Sequence, residues 1–372
     1  MIYYTTLSRE QRGVFFLFIC GFSIMHFLLP DKEFSPSERK PLAQAPALTW
    51  ESILTGDYFA DGEIYLLDQF PLRGQFLDAK RILDKNIFLM SSSSGYASVE
   101  DHLTKLTPSL DSEQVTYAVK LLNNFLASHP EIASAYCAVV PDKNYYLTQI
   151  TDQPSMDYHA LFEMVKELQA QQIPLTELLT LDDYYRTDSH WRQERILPVV
   201  QAVCEAMGVP YGDPDSYTAT VLEGFKGVYY ELTESPPDPD TLTYLRNEAI
   251  DNATVKRLNQ AMKMEECLMY EEAALHDERR YGYDFFLEGP APLITIENPQ
   301  AKTDRELIVL CDSFGSSFAP LMADSYSKIT LLDLRYVKTY ALNNLDIQFA
   351  DADVLILYST TIFNTARTAG IG

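Results

Sequence analysis

Short apolar segments that alternate with stretches of helical periodicity constrain the fold of this chain more than any other feature of its sequence. Ala133–Val140 is strand-like and stops at Pro141, and Met156–Gln171 then repeats apolar residues at helical spacing. Pro174–Leu181 is again short and apolar, and Arg192–Met207 reads as a helix halted near Gly208 and Pro210. A loop-rich stretch follows at 211–245, then a charged, helix-like excursion at Leu245–Arg280. Short strands recur at Phe285–Leu287, Leu293–Ile296, Leu307–Cys311, Ile329–Leu334 and Val354–Tyr358, with a helix at Ser317–Asp324. Uninterrupted apolar runs of this length belong to strands covered on both faces. The alternation therefore predicts an α/β fold, a mostly parallel sheet flanked by helices.

Upstream of this region the pattern differs. Val14–Leu29 is an apolar run of 16 residues preceded by Arg9 and Arg12. A positive segment followed by an apolar one is an export signal, and the absence of an adjacent small-x-small site favours an uncleaved anchor over a cleaved leader. The run is shorter than the roughly 20 residues of a usual spanning helix. Residues 31–50, rich in proline and charge, read as an extended tether, and residues 51–130 are largely helical, with a turn at Ser91–Gly95. The expected organisation is thus an anchor at 1–30, a tether at 31–50, and an α/β domain at 51–372 with an insertion at about 211–285. The domain is placed outside the cell.

Composition excludes some functions. The net charge is −24, which opposes the basic footprint that nucleic-acid binding requires. Cys20, Cys137, Cys204, Cys267 and Cys311 form no CxxC and sit at no metal-ligand spacing from a histidine. Neither a metal nor a bound cofactor is implied.

Two segments carry candidate chemistry. Tyr185-Arg-Thr-Asp-Ser-His-Trp191 follows an apolar segment and places Asp188 two residues before His190. In an irregular turn that spacing brings a carboxylate against an imidazole, which a histidine base needs to fix its tautomer. The alternative is helix capping by Asp188 or Ser189. The second segment, Leu307-Ile-Val-Leu-Cys-Asp-Ser-Phe-Gly-Ser-Ser317, runs from a strand into a helix. A serine at such a turn, at the carboxyl end of a strand in an open α/β sheet, presents its hydroxyl beside N–H groups able to hold an oxyanion. Here too the alternative is an N-cap serine. A serine hydroxyl needs a base to act as a nucleophile, and the two segments together offer both.

Thr187-Asp-Ser-His-Trp191 and Asp312-Ser-Phe-Gly315 resemble motifs of the bacterial DHHW family and of the wider SGNH-hydrolase-like domains of alginate O-acetylation proteins. The likeness extends to Phe34-Ser-Pro-Ser-Glu-Arg-Lys-Pro-Leu42, Asp68-Gln-Phe-Pro-Leu-Arg73, Pro141-Asp-Lys143, Phe225-Lys-Gly227 and Asp333-Leu-Arg-Tyr336, in the family's order. The resemblance implies an SGNH-hydrolase-like, flavodoxin-like three-layer fold. Ser313 would be the nucleophile, His190 the base and Asp188 its orienting group, while Gly227, Arg335, Tyr336 and Lys143 are candidates for substrate or oxyanion contact. Cys311 stands where many SGNH proteins have glycine. The implied function is a serine-dependent esterase or O-acetyltransferase acting on an envelope or extracellular polysaccharide, served, if a transferase, by a membrane-bound acyl-transfer partner. The alternative is a non-catalytic polymer-binding or scaffolding protein on the same fold.

Overall fold

The computed structural model describes residues 20–26, 28–35, 40–76, 96–151, 154–230, 237–259, 261–277, 279–337 and 347–372, with the single positions 13, 339, 342 and 345. The chain divides into two compact units, Met1–Ser93 and Ser94–Gly372. In the first, a two-residue antiparallel ladder, Phe34–Ser35 with Lys40–Pro41, precedes helices Trp50–Thr55 and Asp57–Asp68. Thr49 opens the first of these by exchanging hydrogen bonds with Ser52. Gly56, at φ 88°, separates the two in a left-handed conformation that glycine adopts without penalty. Among the described residues no helix is long and apolar enough to cross a membrane. The apolar run 14–29 lies partly outside the described residues, as does the whole Ser91–Gly95 turn.

The second unit is built on an eight-stranded sheet. A hairpin of β1 (Tyr96–Val99) and β2 (His102–Lys105) leads to α1 (Ser112–Ser128), β3 (Ser134–Cys137), α2 (Lys143–Leu147), α3 (Tyr158–Val165) and the short β4 (Gln171–Gln172). Next come α4 (Leu197–Met207), the hairpin β5 (Thr218–Phe225) and β6 (Asp240–Arg246), α5 (Glu248–Asn252), β7 (Thr254–Leu258) and β8 (Met264–Glu266). The last segment supplies β9 (Leu293–Glu297), β10 (Glu306–Cys311), α6 (Phe314–Phe318), β11 (Lys328–Leu332), β12 (Asp353–Leu357) and α7 (Thr360–Asn364). The strand order is β8-β7-β9-β11-β10-β12-β3-β4. From β11 to β4 every pair is parallel, and β9, β7 and β8 extend the sheet antiparallel.

Alternation along β10 shows how the layers form. Leu307, Val309 and Cys311 face one core with Val199, Val200 and Val203 of α4. Ile308 and Leu310 face the opposite core with Val115 and Leu122 of α1 and Leu161 of α3. Because both faces are covered, no polar residue interrupts the strand between Leu307 and Cys311. A third, aromatic cluster of Tyr185, Phe225, Tyr244, Tyr283, Phe285 and Phe286 lies under the β5–β6 hairpin. β10 runs between β11 and β12, so the chain leaves it in one direction and returns on its other side. Its carboxyl end is therefore a topological switch point, where open α/β sheets place their sites.

Five sequence expectations need correction. The helical reading of 51–130 misses the β1–β2 hairpin at Tyr96–Lys105. Leu245–Arg280 is not a helical excursion: it contributes β7 and β8 to the sheet, with Glu248–Asn252 as the only α-helix among its described residues. Val255 and Leu258 are buried while Lys256 and Arg257 are half-exposed, so each strand face carries one charged and one apolar residue and the apolar run disappears. The loop-rich stretch 211–245 contains the β5–β6 hairpin. Pro174–Leu181 forms no strand; its Leu175 and Leu179 are buried from turns. Phe285–Leu287 follows a 3₁₀ turn and meets Tyr270 through a single bridge at Phe286.

Candidate active site

Ser313 lies between the end of β10 and the start of α6, separated from Cys311 by Asp312 alone. Its backbone is right-handed helical (φ −61°, ψ −16°), and its hydroxyl makes no capping hydrogen bond. The capping work is done by Asp312, whose carboxylate accepts the Phe314 N–H at 3.0 Å and the Ser359 N–H at 3.0 Å. Asp312 thereby ties the ends of β10 and β12 together and leaves the serine hydroxyl free to face outward. Gly315 is required by packing: a Cβ there would sit 2.4 Å from Cys311 Sγ. A cysteine before the Asp-Ser pair is thus compatible with the turn only because position 315 has no side chain.

The histidine arrives from an irregular loop. Tyr184 and Trp191 form an isolated antiparallel bridge, and Tyr185 N–H donates to His190 O at 3.1 Å, closing the loop between them. No helix starts at His190, so the capping alternative for Asp188 does not apply. Asp188 Oδ1 accepts the His190 backbone N–H at 3.0 Å and lies 2.5 Å from His190 Nδ1. His190 Nε2 is 2.6 Å from Ser313 Oγ. The three side chains form one continuous hydrogen-bonded row from a buried carboxylate to a partly exposed hydroxyl.

The carboxylate end is held by electrostatics. Burial raises the Asp188 carboxyl, but the His190 imidazole and the N–H groups of Val228 and His190 outweigh it and hold the group down at about 2. The Val228 N–H reaches Asp188 Oδ2 at 2.7 Å. An ionised Asp188 fixes the proton of the neutral imidazole on Nδ1, leaving Nε2 as the acceptor toward serine. Tyr283 stacks on the imidazole, with ring centroids 3.7 Å apart and planes 5° from parallel. Its hydroxyl donates to Ser317 Oγ at 2.6 Å, and Trp191 Nε1 donates to the same oxygen at 2.8 Å. The plane of the imidazole is thus set by a side chain anchored in the helix that Ser313 opens.

Outside the row lies a cleft of about 180 Å³ bordered by Thr104, Asn144, Tyr229, Thr361 and Arg335 as well as Ser313 and His190. Arg335 is held by Asp333 through Nε (2.9 Å to Oδ1) and Nη2 (2.6 Å to Oδ2), which aims the guanidinium at the cleft wall. Tyr336 is 55% exposed, does not border the cleft, and packs against the Arg335 guanidinium at 5.5 Å. Gly227 does not serve as an oxyanion donor, because its N–H donates to Thr187 Oγ1 at 2.9 Å. It is needed instead for close approach: a Cβ would lie 2.3 Å from Thr187 O. Lys143 borders the cleft, but its ammonium is buried and turned onto backbone carbonyls rather than outward.

Two contributors are not apparent from the sequence. Tyr283 sits in a stretch whose motif content is nil. Asp240 accepts the Thr187 N–H and hydroxyl, although its only sequence signature is a proline-rich break. His102, on β2, is 6% exposed, and burial beside Lys143 lowers it to about 4, so it is neutral. Among the described residues no cluster of His, Cys, Asp or Glu could hold a metal ion.

The fold and the row together define an α/β domain with a serine at the switch point of a mostly parallel sheet. Its structural neighbours include a DHHW family protein from Eubacterium siraeum, 22% identical, with a TM-score of 0.61 over 74% of this chain and 93% of that one. They also include PatB1 of Bacillus cereus, solved with a sulfonyl adduct, 18% identical, with a TM-score of 0.59 over 72% of this chain and 96% of that one. At these identities the likeness is one of fold. No family model and no curated protein sequence matches the chain.

Proposed function

We propose that this protein is a serine-dependent acyl-transfer enzyme. The observation that carries the reading is the Asp188–His190–Ser313 row, with links of 2.5 and 2.6 Å, at the carboxyl end of β10. Ser313 Oγ attacks the carbonyl carbon of an ester as His190 Nε2 takes its proton. The resulting imidazolium is stabilised by Asp188 and returns the proton to the leaving alcohol. Water or a second alcohol then attacks the acyl-serine, with the same histidine as base. The N–H groups of Phe314 and Gly315 are occupied by Asp312 Oδ1 and Asp312 O. The Ser313 N–H donates to the oxyanion, helped by the Arg335 guanidinium on the cleft wall. The small, hydroxyl-lined cleft favours a short acyl group, most simply acetyl, on a sugar hydroxyl. Taken with the motif resemblance and the apolar amino-terminal run, the reading becomes an exported, membrane-tethered O-acetyl esterase or O-acetyltransferase of an envelope or extracellular polysaccharide. A transferase would take its acyl group from a membrane-bound partner. A sulfonyl adduct in a protein of the same fold fits this reading.

The test is hydrolysis of a chromogenic acetyl ester by wild type, Ser313→Ala and His190→Ala, with sulfonyl fluoride labelling followed by mass spectrometry. Turnover lost in both variants and a label on Ser313 are expected. A wild type that neither turns over ester nor takes the label would reject acyl transfer in favour of a binding module.

A further inference from the structure

The serine mechanism leaves two buried charges, on opposite sides of the Asp188 turn, without a role; a part for them in turnover rests on that mechanism. Lys143 opens α2 and is 2% exposed. Its ammonium donates to Leu103 O at 2.6 Å, Tyr185 O at 2.8 Å, Asp188 O at 2.9 Å and Arg186 O at 3.1 Å. Three of these four carbonyls belong to the turn. Asp240, at the start of β6, does the reverse. Its carboxylate accepts the Arg186 N–H at 3.1 Å, the Thr187 N–H at 2.8 Å and the Thr187 hydroxyl at 2.6 Å. Thr187 Oγ1 in turn accepts the Gly227 N–H, which places the next N–H, that of Val228, on Asp188.

Packing does not account for these charges. Burying an ammonium costs several kcal/mol, and a methionine would fill the same space without that cost. The carbonyls of Tyr185, Arg186 and Asp188 converge on one point and repel one another unless a cation stands between them. Burial draws the Lys143 ammonium down towards about 7 while Asp188 and Asp240 oppose it, and the converging carbonyls favour the charged form further. The turn belongs to no helix or strand, so no regular ladder fixes its peptide planes. The Leu103, Tyr229 and Tyr185 N–H groups hold its Arg186, Thr187 and His190 carbonyls, and a cation on its carbonyl side and an anion on its N–H side complete the constraint.

We propose that Lys143 and Asp240 form an electrostatic clamp, a pair of positioning residues that fixes the Tyr185–His190 turn so that Asp188 meets His190, and His190 meets Ser313, before substrate arrives. Such preorganisation acts on the chemical step and leaves binding largely untouched. In the full-length protein, Lys143→Met and Asp240→Asn each lower kcat for acetyl ester hydrolysis by about 100-fold and change KM by no more than about twofold. In an Asp188→Asn background the same substitutions cost only about twofold, because nothing remains for the clamp to position. The downfield proton resonance of the His190–Asp188 hydrogen bond, present in wild type, disappears in both single variants while the far-ultraviolet circular dichroism is unchanged. Where Lys143→Met does not fold, Lys143→Gln, which keeps two donors without the charge, takes its place with the same expected losses. Wild-type kcat in the variants, a loss carried by KM, or equal losses in both backgrounds would overturn the clamp while leaving the serine mechanism standing. A wild type without ester turnover and without sulfonyl labelling of Ser313 would remove both.

Discussion

The contact between Gly315 and Cys311 permits a test in which damage and repair are both foreseen. An alanine at 315 would bring its methyl carbon to 2.4 Å from Cys311 Sγ and 2.8 Å from Cys311 Cβ. Ordinary separation is about 3.5–4.0 Å, so one side must move by roughly 1 Å. Cys311 is fixed in the central strand and is 3% exposed, leaving α6 as the element that yields. Ser313 sits at the head of that helix, and its hydroxyl would move from 2.6 Å of His190 Nε2 to beyond hydrogen-bond reach. Overpacking of this kind costs about 1–3 kcal/mol of stability, and a displacement of about 1 Å at the reacting atom costs about 100-fold in kcat. Cys311→Gly removes both clashing atoms at the cost of a strand glycine, about 0.5–1 kcal/mol. The Cys311→Gly/Gly315→Ala double variant should therefore recover kcat to within about tenfold of wild type, although it remains less stable in urea than wild type. Acetyl ester turnover and urea unfolding of the four proteins measure both quantities. Wild-type behaviour of Gly315→Ala, or a double variant no better than the single, would refute the steric argument.

Gly227→Ala should lower the urea midpoint by an amount equivalent to about 3 kcal/mol and reduce kcat sharply, since its methyl would meet Thr187 O at 2.3 Å and push the Val228 N–H off Asp188. Asp188 is held at about 2, below its unfolded value of about 3.9, so it adds stability above about pH 4 that is lost as pH falls through 2. Unfolding monitored between pH 5 and pH 2 should show this slope in wild type and lose it in Asp188→Asn. His102 is displaced in the destabilising sense: the unfolded chain takes up its proton near 6.5 and the folded chain only near 4, so stability falls as pH drops through that window. In His102→Phe that slope should flatten. Tyr283→Leu, which removes the ring stacked on His190 and the hydroxyl on Ser317, should lower kcat by about tenfold with KM nearly unchanged.

How legible each segment is in the sequence depends on how it is solvated. Ser134–Cys137, Glu306–Cys311, Lys328–Leu332 and Asp353–Leu357 are legible because a strand buried on both faces leaves a nearly unbroken apolar run. Thr254–Leu258 is not, because Lys256 and Arg257 put a charge on each of its faces and its five residues fit a helix as well as a strand. The same division holds at the site. The fixed spacing of Asp188 and His190, and the strand-to-helix position of Ser313, are local facts that short motifs carry. Tyr283, Asp240 and the inward course of Lys143 depend on contacts 34 to 53 residues apart in the chain, which no local pattern encodes. A motif thus names residues and not the contacts that hold them: Pro141-Asp-Lys143 includes Lys143 without its course, and Asp240 lies in none of the motifs. A substitution at Asp240 should therefore impair turnover as severely as some within the motifs.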